Sequence, residues 1–270
     1  MKIITSIFDL NKEIKNYKNI GFVPTMGGIH NGHISLIKAS QKKKSKTIVS
    51  IFVNPTQFNN KNDFKKYPRN LKKDLRILKK LKVNFAYIPT KKQIFNSKNP
   101  INIRLSKKDK ILCAKYRKGH FEGVIDVMTR LTNKIKPSKI FMGEKDFQQF
   151  ILVKRFIEKN YKSKVILCKT IRNKNKLALS SRNLHLSKND LVIAEKISKS
   201  LISFKKQLSK KLIKSEKILS KKKELSEKFD IDIEYFEVRD INKLFISKKM
   251  NNSKIFIAYY LNKIRLIDNF

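Results

Sequence analysis

The segment 24–33, PTMGGIHNGH, sets His30 and His33 three residues apart, directly behind the pair Gly27 and Gly28. Residues at that spacing share one face of a helical turn. A helix N-terminus attracts anions through its free N–H groups and its dipole. Two imidazoles placed there can donate hydrogen bonds to phosphate oxygens and stabilise charge that develops in phosphoryl or nucleotidyl transfer. The chain holds four histidines and this loop takes two of them, which separates it from a lone histidine satisfied in a core.

Four further segments carry candidate chemistry. In 50–58, SIFVNPTQF, Asn54 and Gln57 bracket Pro55. A carboxamide offers donor and acceptor together, which suits the hydroxyls and carboxylate of a hydroxy acid; N-P is also an ordinary turn dipeptide. In 116–125, YRKGHFEGVI, Arg117 is a partner for a carboxylate and His120 opens a helix. In 143–149, GEKDFQQ, Lys145 is a cation placed for phosphate and Gln149 lies on the following helix. Asp146 there suits a ribose hydroxyl or, more plainly, a helix cap. In 177–183, LALSSRN, the hydroxyls of Ser180 and Ser181 and the guanidinium of Arg182 can fold over a triphosphate, or form a capped hinge.

These groups need a frame that brings them together. Short β-branched or aromatic runs at 19–25, 47–54, 83–89, 138–142 and 163–168 predict buried strands. Between them, 31–44, 70–82, 121–136 and 145–160 carry helical spacing; Val124, Val127, Met128, Leu131 and Ile135 recur at threes and fours. Alternation of strand and helix predicts an α/β fold with a parallel sheet. Such sheets bind ligands beyond the carboxyl ends of their strands, where the motifs at 24–33, 50–58 and 143–149 fall. Past residue 170 the pattern changes. A polar stretch at 171–187 leads to two lysine-rich helices over 188–229, then strands at 231–238 and 254–261. The low-complexity run 210–228 keeps helical spacing through Leu212, Ile218, Leu219 and Leu225. Two domains are expected: a catalytic sheet domain over 1–170 and a smaller α+β lid domain over 171–270.

Composition sets outer bounds. Lys and Arg number 64 against 21 Asp and Glu, a net charge of +43. The lysines run from Lys2 to Lys263 instead of gathering on one arm, and Lys, Asn, Ile and Phe all have A/T-only codons. Compositional drift over solvated faces accounts for this better than a nucleic-acid interface, although a basic surface still attracts anionic small molecules. Two cysteines, Cys113 and Cys168, exclude a disulfide scaffold. No apolar run approaches the ~18 residues of a membrane span. The first residues turn polar early and show no cleavage site, so a cytoplasmic protein is expected.

HxGH after a buried strand resembles the signature of the nucleotidyltransferase superfamily. PTMGGIHNGH, SIFVNPTQF, YPRNLKKDL, RKGHFEGV, GEKDFQQ and LALSSRN, in this order and spacing, resemble the AMP-forming pantoate–β-alanine ligase family, also called pantothenate synthetases. EYFEVRD and RLIDN extend the likeness toward the C-terminus. The resemblance implies a Rossmann-like N-terminal domain and ATP-dependent condensation of (R)-pantoate with β-alanine through a pantoyl adenylate, releasing pyrophosphate and AMP. It places ATP on Met26, Gly27, Gly28, Ile29, His30, Asn31, Gly32 and His33, on Gly143, Glu144, Lys145 and Asp146, and on Ile171, Leu179, Ser180, Ser181 and Arg182. His33, His30 and Lys145 are the catalytic candidates. Pantoate falls to Gln57, Gln149 and Asn54, and β-alanine to Gln57, Arg117 and Tyr67. Mg²⁺ accompanies ATP, with Asp74 as its candidate ligand, and a homodimer is implied. One departure stands out: the family commonly has Asp-Gly before LALSSRN, where this chain has Asn175-Lys176. Other HxGH nucleotidyltransferases would share the first motif but lack FVNPTQF and GEKDFQQ. A basic nucleic-acid-binding module would instead show a localised stripe of charge and steeply salt-dependent binding.

Overall fold

The computed structural model describes residues 1–43, 45–59, 61–95, 103–208 and 212–270. Lys44, Asn60, Ser209, Lys210 and Lys211, which the sequence reading includes in its motifs and helices, lie outside the described residues. The chain forms two compact units, Met1–Lys169 and Thr170–Phe270.

The first unit holds six strands, β1 (Lys2–Ile4), β2 (Ile20–Thr25), β3 (Lys46–Ile51), β4 (Phe85–Tyr87), β5 (Lys139–Gly143) and β6 (Lys164–Cys168). Its helices are α1 (Ile7–Ile14), α2 (Asn31–Lys42), α3 (Lys61–Lys66), α4 (Leu71–Lys80), α5 (Lys91–Phe95), α6 (Cys113–Tyr116), α7 (His120–Ile135) and α8 (Phe147–Asn160). The strands pair in parallel in the order β1-β4-β3-β2-β5-β6. Parallel strands covered on both faces read as continuous apolar runs, which is why β2 and β3 are legible in the sequence. Gly21 in β2 is a packing requirement: a Cβ there would lie 2.1 Å from Ser40 Oγ of α2. The apolar positions picked out on α7 are all buried.

The order has a consequence for ligands. From β2 the chain builds outward through β3 and β4, then returns to add β5 and β6 on the other side. The crevice beyond the carboxyl ends of β2 and β5 is therefore a topological switch point, the preferred ligand position in open parallel sheets.

Some expected boundaries move. β3 ends at Ile51 rather than 54, because Asn54 caps a 3₁₀ turn over Pro55–Gln57 by accepting the N–H of Thr56. The strand expected over 83–89 shortens to β4, and the short edge strand β1 is an addition to the expected set.

The second unit contains α9 (Lys188–Leu208), α10 (Ser215–Phe229) and an antiparallel sheet of β7 (Asp232–Asp240), β8 (Ser253–Leu261) and β9 (Ile264–Asn269). Its own apolar core includes Ile197, Leu201, Leu225, Ile255 and Ile257. On the low-complexity run only part of the helical stripe is covered: Leu225 is buried, while Leu212 and Leu219 are 63% and 65% exposed. β8 and β9 join through Asn262 and Lys263, both at positive φ (46° and 66°). A two-residue hairpin needs that backbone and usually signals itself with glycine. Here it does not, so β9 has no turn signal in the sequence.

Candidate active site

The loop after β2 is held from β3 and α4 as well as by its own Thr25. Thr25 Oγ1 donates to the Ser50 carbonyl at 2.7 Å and accepts the Gly27 N–H at 3.2 Å. Gly27 and Gly28 then take φ of 84° and 62°, a left-handed pair that residues with a Cβ rarely adopt. Asp74 Oδ2 accepts the Gly28 N–H at 2.9 Å and Oδ1 the Ile29 N–H at 2.8 Å.

His30 is the N-cap of α2. Its Nδ1 accepts the Gly32 N–H at 3.1 Å, and His33 Nδ1 lies 3.4 Å from the His30 backbone nitrogen, whose N–H it accepts. The two rings thus exchange caps across the first turn, as a Ser/Glu pair does in a capping box. Burial, with a smaller push from the Lys145 cation, holds the His30 pKa down at about 4, against opposition from Asp146. Burial lowers His33 further, to about 3; the neighbouring His30 adds to this, Asp146 opposes it, and Lys145 contributes least. Both imidazoles are neutral near pH 7. Because each accepts at Nδ1, each carries its proton on Nε2. The site therefore presents two neutral N–H donors, not two cations.

Lys145 and Asp146 lie in the 3₁₀ turn Glu144–Asp146 that follows β5. Their electrostatic effect on both histidines places them beside the α2 N-terminus. Lys145 Nζ is 3.4 Å from Asp146 Oδ1, and its side chain is only 18% exposed. Gly143 and Glu144 border this turn, and Gln149 is half-buried on the first turn of α8. The sheet thus brings the 26–33 and 143–146 segments together, as their positions after neighbouring strands require.

The loop after β3 joins them. Gln57 Nε2 sits 2.7 Å from Met26 Sδ. Asn54, expected as a pantoate contact, is engaged within the protein. It is 1% exposed, its Nδ2 donates to the Gly123 carbonyl at 3.0 Å, and its Oδ1 accepts from both the N–H and the hydroxyl of Thr56. Gly123 of α7 allows this approach, since a Cβ there would stand 2.5 Å from Thr56 O.

Arg117 likewise acts within the protein. Its guanidinium donates to the Gln57 carbonyl at 3.2 Å and to His120 Nε2 at 2.9 Å. Because arginine only donates, His120 Nε2 must accept, and its Nδ1–H donates to the same carbonyl at 2.7 Å. The sequence reads His120 only as a helix start; its part in fixing Gln57 has no sequence signal beyond its histidine identity. Tyr67 is buried with its ring edge-to-face against Phe58, centroids 5.6 Å apart.

The donor set does not form a metal cage. Among the described residues no group of three or more His, Cys, Asp or Glu could hold a metal ion. Asp74, the expected magnesium ligand, is 2% exposed and has both oxygens committed to backbone N–H groups.

In the second unit, 171–179 forms a small hairpin. The Leu179 N–H donates to the Ile171 carbonyl at 3.0 Å, and Arg172 bridges Ala178. Lys176 takes φ of 76° where the family commonly has glycine. Glu195 on α9 receives the Asn173 and Asn175 amides, each at 2.7 Å. Ser180 caps the 3₁₀ turn Ser181–His185 by accepting the Arg182 N–H, so the simpler capping reading of that serine is realised.

A Rossmann-like parallel sheet with two imidazole donors and a lysine at its switch point defines an α/β enzyme domain built to receive a phosphate-bearing ligand. Residues 2–270 match the model of the Pantoate-beta-alanine ligase family. The pantothenate synthetase of Francisella tularensis subsp. novicida (strain U112) is 39% identical, over 99% of this chain and 95% of its own. The structure of pantothenate synthetase from Thermus thermophilus superposes with a TM-score of 0.93 at 26% identity, covering 100% of this chain and 99% of that one. A Francisella tularensis pantoate-beta-alanine ligase, complexed with beta-gamma ATP and beta-alanine, superposes at 0.84 with 37% identity, covering 100% and 97%. The chain belongs to the pantoate–β-alanine ligase family, whose reaction is the ATP-dependent condensation of pantoate with β-alanine.

Proposed function

We propose that this chain makes pantothenate in two half-reactions, and that the neutral imidazole pair carries the first. A pantoate carboxylate oxygen attacks the α-phosphorus of ATP, the bond from that phosphorus to the bridging oxygen breaks, and pyrophosphate leaves. The β-alanine amine then attacks the acyl carbon of the pantoyl adenylate. It loses a proton, the bond to the AMP oxygen breaks, and AMP leaves. Adenylation is needed because a free carboxylate has no adequate leaving group.

The observation that supports this most is the twin Nδ1-accepting, Nε2-donating tautomer of His30 and His33 beside Lys145. A pentavalent phosphorus gains negative charge on its equatorial oxygens. Preorganised N–H donors and a cation in a water-poor site stabilise that charge without reorganising. Neutral histidines suffice here, because carboxylate attack on phosphorus requires no proton transfer. With the Gly27, Gly28 and Ile29 N–H groups already engaged, phosphate recognition in this loop falls to side chains and the α2 dipole.

Gln57, oriented by His120 and Arg117, is assigned to pantoate and to the β-alanine side, with Gln149 as the second pantoate contact. Asn54 and Arg117 serve by holding Gln57, and Tyr67 by packing against Phe58 beside it. Gly143 to Asp146 are assigned to ribose and phosphate, and the family resemblance alone supports Ile171 and Leu179 to Arg182 as nucleotide candidates of the second unit. Mg²⁺ enters with the triphosphate, as a hydrated ion ligated by phosphate oxygens. The family resemblance further supports a cytoplasmic homodimer. No helix among the described residues is long and apolar enough to cross a membrane.

Pyrophosphate–ATP isotope exchange tests the reading. Exchange that appears only with pantoate, in the absence of β-alanine, is the expected result. Exchange without pantoate, or none from folded enzyme, would overturn the adenylate route.

A further inference from the structure

The carboxylate of Asp74 reaches the loop after β2 from α4, 46 residues beyond Gly28 in sequence. It lies in the first turn of α4, behind the N-cap Asn70. Its two oxygens take the consecutive N–H groups of Gly28 and Ile29 at 2.9 and 2.8 Å. The contact is close: a Cβ on Gly27 would stand 3.0 Å from Oδ2. The group is 2% exposed. A buried carboxylate is tolerable only when its lone pairs are engaged, and bonds to an ionised acceptor are the stronger kind.

We infer that Asp74 is a positioning residue for the nucleotide: it clamps Gly28 and Ile29 and so fixes the entry of α2, from which His30 and His33 are aimed. This rests on the reading that residues 26–33 serve ATP. Three features converge on it. Gly27 and Gly28 hold a left-handed backbone that glycine enters and leaves at little cost, so outside contacts are needed to keep it there. Thr25 secures the Gly27 N–H from one side and Asp74 the next two from the other, so no amide of the bend is left to drift. His30 follows immediately, and its cap geometry sets the tautomer on which the donor pair depends. The same two bonds leave Asp74 poorly suited to hold magnesium.

Asp74→Asn keeps one acceptor and turns an NH₂ donor toward an N–H donor, at nearly unchanged volume. In the whole enzyme, this variant is expected to raise KM for ATP at least ~10-fold, the scale of losing one charge-assisted hydrogen bond, while KM for pantoate stays within ~2-fold. The ATP defect should persist when Mg²⁺ is raised to saturation. Relief of the defect by excess Mg²⁺ would overturn the inference and return Asp74 to the metal. An unchanged KM for ATP would also overturn it. A rise confined to pantoate would overturn it together with the ATP reading of this loop. Hydrogen exchange on the unmutated enzyme gives a readout that no folding defect can spoil. The Gly28 and Ile29 amides should be strongly protected; rapid exchange in folded protein would overturn the clamp while leaving the ATP reading untouched.

Discussion

The rings of His30 and His33 lie 4.1 Å apart between centroids, tilted by 40°, and each caps the backbone of the turn that carries the other. The pair is one unit. Protonating either ring at Nδ1 would remove a backbone acceptor and place a charge against its neighbour. Their geometry and their protonation state have the same origin.

Folding stability is expected to fall with acid through this pair. Both folded-state pKa values, about 4 and about 3, lie below the unfolded value of 6.5. Below pH ~6.5 the unfolded chain therefore binds more protons than the native one, and stability falls as pH drops toward the folded values. Above pH ~6.5 the pair contributes no slope. Melting temperature measured at steps between neutral and mildly acid pH should show the decline, and His33→Ala should flatten it. A slope unchanged in that variant would refute the assignment.

Removing either donor class should slow chemistry more than binding. His33→Ala and Lys145→Ala are each expected to slow pyrophosphate exchange at least ~100-fold, the scale of one lost charge-stabilising group. Near-normal exchange in either variant would remove that residue from the mechanism.

Gly123 should resist even one methyl group. A Cβ would stand 2.5 Å from Thr56 O, with backbone on both sides of the contact. Overpacking of this kind costs about 1–3 kcal/mol. Gly123→Ala is expected to lower the melting temperature and, by pushing the Pro55–Gln57 turn outward, to raise KM for pantoate more than KM for ATP. Equal changes in both would argue that the turn does not orient Gln57.

In the second unit, Arg172 makes two bonds to Asp268 at 2.7 and 2.9 Å and a third to the Asn269 carbonyl, over the ring of Phe270. Removing the carboxylate from this part-buried pair loses two charge-assisted bonds, at about 1.5–3 kcal/mol, while Arg172 keeps the Lys176 and Asn269 carbonyls. Asp268→Ala is expected to destabilise the protein on that scale and to expose the 171–179 hairpin to protease. Urea unfolding within ~1 kcal/mol of the unsubstituted enzyme would contradict this.

A net charge of +43 over 270 residues should make the compact state self-repelling. Melting temperature is expected to rise from low to moderate salt. No rise would show that the lysines are spaced widely enough to be screened already.

The residue order determined a great deal by itself. Continuous apolar runs over β2, β3 and β5 and the three-four spacing on α7 exposed the α/β pattern, because burial on both sheet faces or on one helix face is written into local periodicity. The paired histidines, the carboxamides around Pro55 and the GEKDFQQ turn were legible because their residue types are chemically specific and follow strands. What only the tertiary structure decided depends on distance in space. The β1-β4-β3-β2-β5-β6 order, which sets β5 beside β2 and creates the crevice, follows from packing rather than local propensity. So does the placement of Asp74 on the amides of Gly28 and Ile29, more than forty residues away in sequence. The bond from the Asn54 amide to the Gly123 carbonyl is of the same kind, since the two residues are 69 positions apart. The neutral state of His30 and His33 was decided last, since a pKa answers to burial and to charges such as Lys145 that arrive from another strand.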